Sequence, residues 1–208
     1  MDAGKFFVSP DSPLMTEKNA EKLSRDAWLR AALEIVCSSG IEAVKIAPLA
    51  ASLGVTTGSF YWHFKNRRDL LKAVLEFWEK EMTTTAIAAA SSFSGTPEDR
   101  ILRLMETVMA DGMARYDLAI SHWAQSDAEA SKVFQHALEK RFEFAAWMFS
   151  EAGFDPVQAE ARGRLMVVYM MGESSLVSGS VSQRLEMLRQ KHAILVAPFK
   201  EIEEVAGG

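Results

Sequence analysis

The stretch 45–65, which reads KIAPLAASLGVTTGSFYWHFK, constrains the fold of this chain more than any other. Four apolar residues at helical spacing predict a first short helix: Ile46, Leu49, Ala50 and Leu53. Gly54 then supplies the left-handed backbone that ends this helix, and Val55 returns the chain to the core. A second short helix follows, with Thr56 as its candidate N-cap. Two short helices joined by a tight turn with Gly are the pattern of a helix-turn-helix.

The second helix of this stretch predicts two different faces. Phe60 and Phe64 are one helical turn apart and point inward together. The opposite side carries Gly58, Ser59, Tyr61 and Trp62, with Thr57 and His63 at its edges. A solvent-facing Tyr-Trp pair exposes apolar area, so we expect this face to have a partner. In a helix-turn-helix the second helix enters the DNA major groove. A protein interface is the alternative, and salt-sensitive DNA binding would argue against it.

The distribution of charge supports a nucleic-acid partner, although the net charge of the chain is −5. Residues 16–80 carry 10 Lys and Arg against 8 Asp and Glu, whereas residues 81–208 carry 12 against 18. Between residues 43 and 68 there is no acidic side chain, and the basic ones are Lys45, Lys65, Arg67 and Arg68. This local basic patch on an acidic body is typical of a DNA-binding surface.

Composition excludes several classes of protein. Gly and Pro are sparse, with 12 and 6 residues, which favours helices. Cys37 is the single cysteine, so an intrachain disulfide is excluded, and the four histidines show no metal-ligand spacing. Neither a signal peptide nor a membrane span is visible, and we expect a cytoplasmic protein. No phosphate-cradling loop or nucleophile motif indicates an enzyme. We therefore predict no catalytic residue, metal or cofactor.

The whole chain is predicted to be α-helical. A flexible N-terminal arm, 1–20, precedes a three-helix DNA-binding domain, 21–68, whose first helix begins after Ser24. The remaining helical domain, 69–208, begins with a helix that is capped by Asn66 and continues to about residue 90. Thr96-Pro97 starts the next helix, and others follow near 128–151, 156–177 and 181–202. Pro198 is expected to kink the last one.

The run 54–66 closely resembles the signature of the TetR family of bacterial transcriptional regulators. The spacing from Trp28 through Gly40 to this run also resembles the family, as does Asp69-Leu70-Leu71 after it. The resemblance implies a homodimer that binds a near-palindromic operator and is released by a small molecule in its C-terminal domain. By this resemblance, Thr57, Ser59 and Trp62 are expected to contact base edges. Gly58 lies within the same DNA-facing run, and phosphate contacts fall to Lys45, Thr56, Tyr61, His63 and Lys65.

The ligand and dimer sites follow from the family plan and the apolar pattern. We expect a pocket for a small hydrophobic effector, lined by Phe77, Trp78, Met105, Met109, Met113, His122, Trp123, Phe142 and Trp147. For His122, a buried side chain bonded to a backbone carbonyl is the alternative to a pocket role. We expect a four-helix dimer contact from Leu165, Met166, Leu185, Leu188 and Leu195. A regulator without a ligand, or a transcriptional activator, stays open as an alternative.

Overall fold

The computed structural model of the protein describes residues 23–176 and 180–198, and every regular element in these ranges is a helix. The predicted arm, 1–20, and the end of the predicted last helix, 199–202, lie outside the described residues. No helix in the described ranges is long and apolar enough to cross a membrane. The α-helices are α1 (Arg25–Ser39), α2 (Ile46–Ser52), α3 (Thr57–Tyr61), α4 (Arg67–Glu79), α5 (Ala86–Ser91), α6 (Pro97–Ala110), α7 (Ala114–Ala124), α8 (Ala128–Glu151), α9 (Pro156–Leu176) and α10 (Val181–Val196).

Helices α1, α2 and α3 form the N-terminal head, as predicted. The Ser24 hydroxyl accepts a hydrogen bond from the backbone N–H of Ala27 at 3.2 Å and so caps α1. Gly54 has a φ of +69° and ends α2 with the left-handed conformation that its sequence position predicts. Thr56 occupies the N-cap position of α3, but its side chain makes no capping hydrogen bond.

The helix after the head is continuous from Arg67 to Ser91, but its middle is not α-helical. Asn66 caps its start through a 3.0 Å hydrogen bond from the backbone N–H of Asp69. Residues Lys80–Thr85 then form a π-helical segment between α4 and α5. The predicted end near residue 90 is confirmed, whereas nothing in the sequence pattern indicated the π-helical segment. Such segments are rare and often lie at functional sites.

Two apolar clusters hold these helices together. The first is continuous from the head into the body and includes the fully buried Trp28, Phe60 and Trp78. The second lies among α6, α8, α9 and α10, with Ile101 and Leu188 at its centre. The first cluster packs α1 and α4 against α7 and α8, so the head and the body share one continuous apolar core.

Gly163 and Pro198 shape the C-terminal helices. Gly163 allows α9 to approach α8 closely, since a Cβ there would lie 2.7 Å from the backbone nitrogen of Ala146. The prediction of a kink at Pro198 was wrong, because α10 already ends at Val196. Ala197 has the extended backbone that a residue before proline prefers, so Pro198 terminates this helix.

Candidate nucleic-acid interface and ligand cavity

Helix α3 and the three residues after it carry two buried and two exposed aromatic side chains. Phe60 and Phe64 are buried, and the Phe60 ring makes an edge contact with Trp28 at a centroid distance of 5.6 Å. Trp62 and Tyr61 are 86% and 61% exposed. Burying a large aromatic side chain stabilises a fold by about 1.5–3 kcal/mol, which these two side chains forgo in the isolated chain. The predicted division of this helix into an inward and an outward face is confirmed.

Most of the other predicted DNA-binding residues also have exposed side chains. Lys45, Thr56, Thr57, Gly58 and Lys65 are exposed, and Ser59 and His63 are half-buried. Lys45 is the N-cap residue of α2, and Lys65 directly precedes Asn66, the N-cap residue of α4. Hydroxyl and ammonium groups are those that contact phosphates in protein–DNA complexes.

The two arginines of the predicted basic patch differ in their hydrogen bonds. Arg67 donates from Nε to the carbonyl oxygen of Val44 at 2.7 Å and from Nη2 to that of Ile41 at 2.6 Å. Its neighbour Arg68 is exposed and donates no hydrogen bond within the described ranges. Arg25, which the sequence analysis did not single out, lies with its guanidinium 5.2 Å from the centre of the Phe64 ring. The exposed cations of the head and of the start of α4 thus include Arg25, Lys45, Lys65 and Arg68.

Gly58 has no conformational reason to be glycine. Its φ lies outside the left-handed region, and a Cβ built on it would meet only the Thr56 hydroxyl oxygen, at 3.5 Å. This is an ordinary van der Waals distance. A glycine that the fold does not require, on the exposed side of a helix, permits close approach of a ligand to the backbone.

A cavity of about 80 Å³ lies beside the π-helical segment, enclosed by that segment and α5 to α9. It brings together two of the nine predicted pocket residues, Met105 and Met113. Most of its lining is apolar and flexible, with six methionines. The lining residues are Met82, Thr83, Ala86, Ile87, Leu104, Met105, Val108, Met113, Asp117, Arg141, Phe144, Ala145, Met166, Val167, Met170 and Met171.

The other seven predicted pocket residues lie elsewhere. Phe77, Trp78 and Trp123 are buried in the first apolar cluster, and Met109 lies beside Gly112 and Arg184. His122 is exposed. Two more lie along the outside of α8: Phe142 packs under the guanidinium of Arg164, and Trp147 is 42% exposed.

The polar groups of the cavity were not predicted from the sequence. Asp117 on α7 and Arg141 on α8 form a buried ion pair with an Nη1–Oδ2 distance of 2.7 Å. Arg141 also donates from Nε to the Thr83 hydroxyl at 2.9 Å and from Nη2 to the Met82 carbonyl at 3.2 Å. The Trp78 indole donates to Asp117 at 3.2 Å. No sequence signal could find this set, because its members come from three helices and meet only through tertiary packing.

The predicted dimer residues fall into two groups. Leu165 is exposed on α9, and Leu185 and Leu195 on α10 are half-buried. Met166 and Leu188 are buried against α6 and α8 of the same chain. The exposed side of α9 also presents Val157 and Val168, and that of α10 presents Met187 and Ile194.

Residues 29–74 of the chain match the family model described as bacterial regulatory proteins, tetR family. The chain is 47% identical over 55 residues to the tetracycline repressor protein class C of Escherichia coli, covering 26% of this chain and 25% of the repressor. It is 25% identical over 104 residues to the transcriptional regulator AcrR of Shigella flexneri, covering 48% of each protein. The matches to these relatives thus span half of their length or less.

The similarity to solved structures extends further along the chain. The structure of AibR in complex with isovaleryl coenzyme A and operator DNA aligns with a TM-score of 0.65 at 17% identity. This alignment covers 84% of the present chain and 99% of AibR. At this identity the similarity concerns the fold alone.

Proposed function

Because this chain belongs to the TetR family of bacterial regulatory proteins, we propose that it is a transcriptional regulator that binds double-stranded operator DNA through α3. The observation that carries the proposal is the exposure of Tyr61, the last residue of α3, and of Trp62, its C-cap, next to the fully buried Phe60. Contact with DNA removes this apolar area from water. We propose the cytoplasm as its compartment, because operator DNA lies there.

Each side chain of the α3 surface has a role that suits its chemistry. Lys45, Lys65 and the Tyr61 hydroxyl bind phosphates, which position the protein without reading the sequence. Thr57 and Trp62 read base edges in the major groove, Trp62 through apolar contact with a thymine methyl group. No Arg, Asn or Gln lies on the exposed side of α3, so part of the discrimination comes from DNA shape.

The test of DNA binding is selection of bound duplexes from random sequence, followed by salt titration of binding to the selected operator. Tyr61→Ala and Lys65→Ala should weaken binding to all duplexes, and Lys65→Ala should reduce the salt slope by about one. Trp62→Ala should instead change which bases are preferred, at a cost of about 1–3 kcal/mol. Wild-type binding by both phosphate variants at every salt concentration would contradict the proposal.

The exposed apolar stripe on α9 and α10 supports a homodimer. Val157, Leu165 and Val168 share one side of α9, and Ile194 is 73% exposed on α10. A second copy of the chain covers such a self-complementary patch with two-fold symmetry. The operator is then a near-palindrome with half-sites about one helical turn apart or a multiple of it.

The dimer is tested by one substitution and a matched control. Leu165→Glu should shift sedimentation at micromolar concentration from dimer to monomer, because it buries a charge at the two-fold contact. Ala110→Glu adds the same charge at an exposed position of α6 and should leave the dimer intact. A monomeric wild-type protein would contradict this part of the proposal.

We further propose that the cavity binds a small hydrophobic effector that releases the DNA, so that the protein acts as a repressor. Met82 and Thr83 line the cavity and belong to the continuous helix that begins at the head. A ligand that separates α8 from this helix shifts its N-terminal end relative to the DNA groove. By linkage, the effector must bind the DNA complex more weakly by the same factor by which it weakens DNA binding.

A further inference from the structure

The cavity contains opposite charges in equal number. Within the described part of the chain, Asp117 and Arg141 are the only lining residues that ionise. Their side chains are 7% and 13% exposed, so water screens them little. The lining as a whole is therefore neutral, although it holds two full charges.

Both charges are already engaged by protein groups. The Asp117 carboxylate accepts hydrogen bonds from both terminal nitrogens of Arg141 and from the Trp78 indole. The guanidinium of Arg141 also lies 5.4 Å from the centre of the Trp78 ring. Its bonds to Met82 and Thr83 account for two further N–H groups. Among the described residues, one of its five N–H groups and the proton of the Thr83 hydroxyl have no hydrogen-bond acceptor.

We propose that the effector of this cavity is an uncharged molecule with an apolar body and one hydrogen-bonding group, such as a hydroxyl, carbonyl or amide. This inference rests on the proposed ligand-binding function and names the ligand class. A carboxylate that reached Arg141 would compete with Asp117, and the two buried anions would share one positive charge. A cation that reached Asp117 would share one negative charge with Arg141 in the same way. Unpaired charges in an apolar site are strongly disfavoured.

The size of the cavity limits the apolar body. About 80 Å³ is available, whereas a dry cavity of about 150 Å³ holds benzene in another protein. Methionine side chains are unbranched and adapt to varied shapes, so the six in the lining permit the cavity to enlarge. One of these six, Met82, belongs to the π-helical segment. A single ring with a short polar substituent is the smallest probe that uses both the apolar wall and the free donors.

The test compares four probes that share one aromatic ring: toluene, benzyl alcohol, benzoate and benzylammonium. Binding to the full-length wild-type protein is measured at pH 7 by calorimetry. We expect benzyl alcohol to bind at least about tenfold more tightly than benzoate or benzylammonium, since both ions leave a buried charge unpaired. Met105→Phe fills the cavity and should abolish binding of benzyl alcohol, which locates the site.

Two charge variants give the opposite preferences. Asp117→Asn leaves the lining with one positive charge, so benzoate should bind this variant more tightly than benzyl alcohol does. Arg141→Gln leaves one negative charge, so benzylammonium should bind this variant more tightly than benzyl alcohol does. If one variant does not fold, the other variant and the wild-type comparison still test whether the cavity prefers an uncharged ligand.

Benzoate binding to the wild type as tightly as benzyl alcohol, and lost in Met105→Phe, would overturn the inference. So would the absence of binding by all four probes, which would also remove the proposed effector site. Operator binding by the ligand-free protein is measured separately, so failure of the ligand class is distinguishable from failure of the DNA-binding function.

Discussion

Replacement of Arg67 by Met should destabilise the head, whereas the same replacement of its neighbour Arg68 should not. Arg67 opens α4, and its guanidinium reaches the carbonyl oxygens of Ile41 and Val44 at the turn before α2. It therefore ties the start of the helix-turn-helix to the helix that leads into the body. The ion pair of Arg67 with Glu42, at 3.7 Å, adds little because Glu42 is almost fully exposed.

The expected magnitude follows from these contacts. A hydrogen bond to a charged group contributes about 1.5–3 kcal/mol, and Arg67 donates two. Its side chain is 36% exposed, so water partly replaces the lost bonds. We therefore expect Arg67→Met to lower the free energy of unfolding by about 2–4 kcal/mol. Arg67→Lys should recover only part of this loss, since an ammonium group cannot span two carbonyls as a planar guanidinium does.

Urea unfolding followed by circular dichroism measures the stability, and fluorescence anisotropy with labelled operator measures DNA affinity across salt concentrations. Arg68→Met is the matched control, because it removes an equal charge at an exposed side chain. It should keep wild-type stability within about 0.5 kcal/mol, yet weaken DNA binding and reduce the salt slope by about one. Equal stability losses in both variants, or none in Arg67→Met, would contradict a structural role of the two hydrogen bonds of Arg67.

Three further predictions concern single positions. Gly58→Ala should keep the free energy of unfolding or raise it by up to about 1 kcal/mol, but weaken operator binding. Gly54 has a φ of +69°, so Gly54→Ala should instead lower the free energy of unfolding. Gly163→Ala should lower the unfolding free energy by about 1–3 kcal/mol in urea titrations, because its Cβ would contact backbone of α8; wild-type stability would contradict this. Burial, reinforced by Glu34, raises the pKa of the Cys37 thiol to about 12. The protonated thiol is thus favoured in the folded state, and stability is lost as the pH rises toward 12. At pH 8 iodoacetamide should alkylate folded Cys37 about a thousandfold more slowly than the urea-unfolded chain, and a difference below tenfold would contradict the pKa.

The head was predictable because its determinants are local in sequence. Ser24 and Asn66 cap helices through residues three positions away, and Gly54 ends α2 through its own φ angle. The inward spacing of Phe60 and Phe64 likewise depends only on helical periodicity. Such short-range rules require no knowledge of the body.

The cavity could be predicted only in part, since its polar members depend on contacts between distant segments. The Asp117–Arg141 pair joins residues 24 apart, and the Arg141–Thr83 bond joins residues 58 apart. Each of these residues, taken alone, is indistinguishable from a solvated polar group on a helix. The pair becomes recognisable once α7, α8 and the π-helical segment are assembled, when burial removes water as its partner.

The methionine stripe shows how one glycine changes the outcome of a periodic pattern. Met105, Met109 and Met113 are spaced four residues apart, which would place them along one side of a single helix. Helix α6 ends at Ala110, however, and Gly112 takes a φ of +62°. Met113 therefore belongs to the start of α7, where it turns back into the cavity, while Met109 lies next to Arg184 of α10. Asp111 and Gly112 indicate in the sequence that α6 ends before Met113. The apolar repeat of Met105, Met109 and Met113 nevertheless continues across them, so it suggests one helix where the structure has two. An apolar period thus predicts a shared side only as far as the backbone continues as one helix.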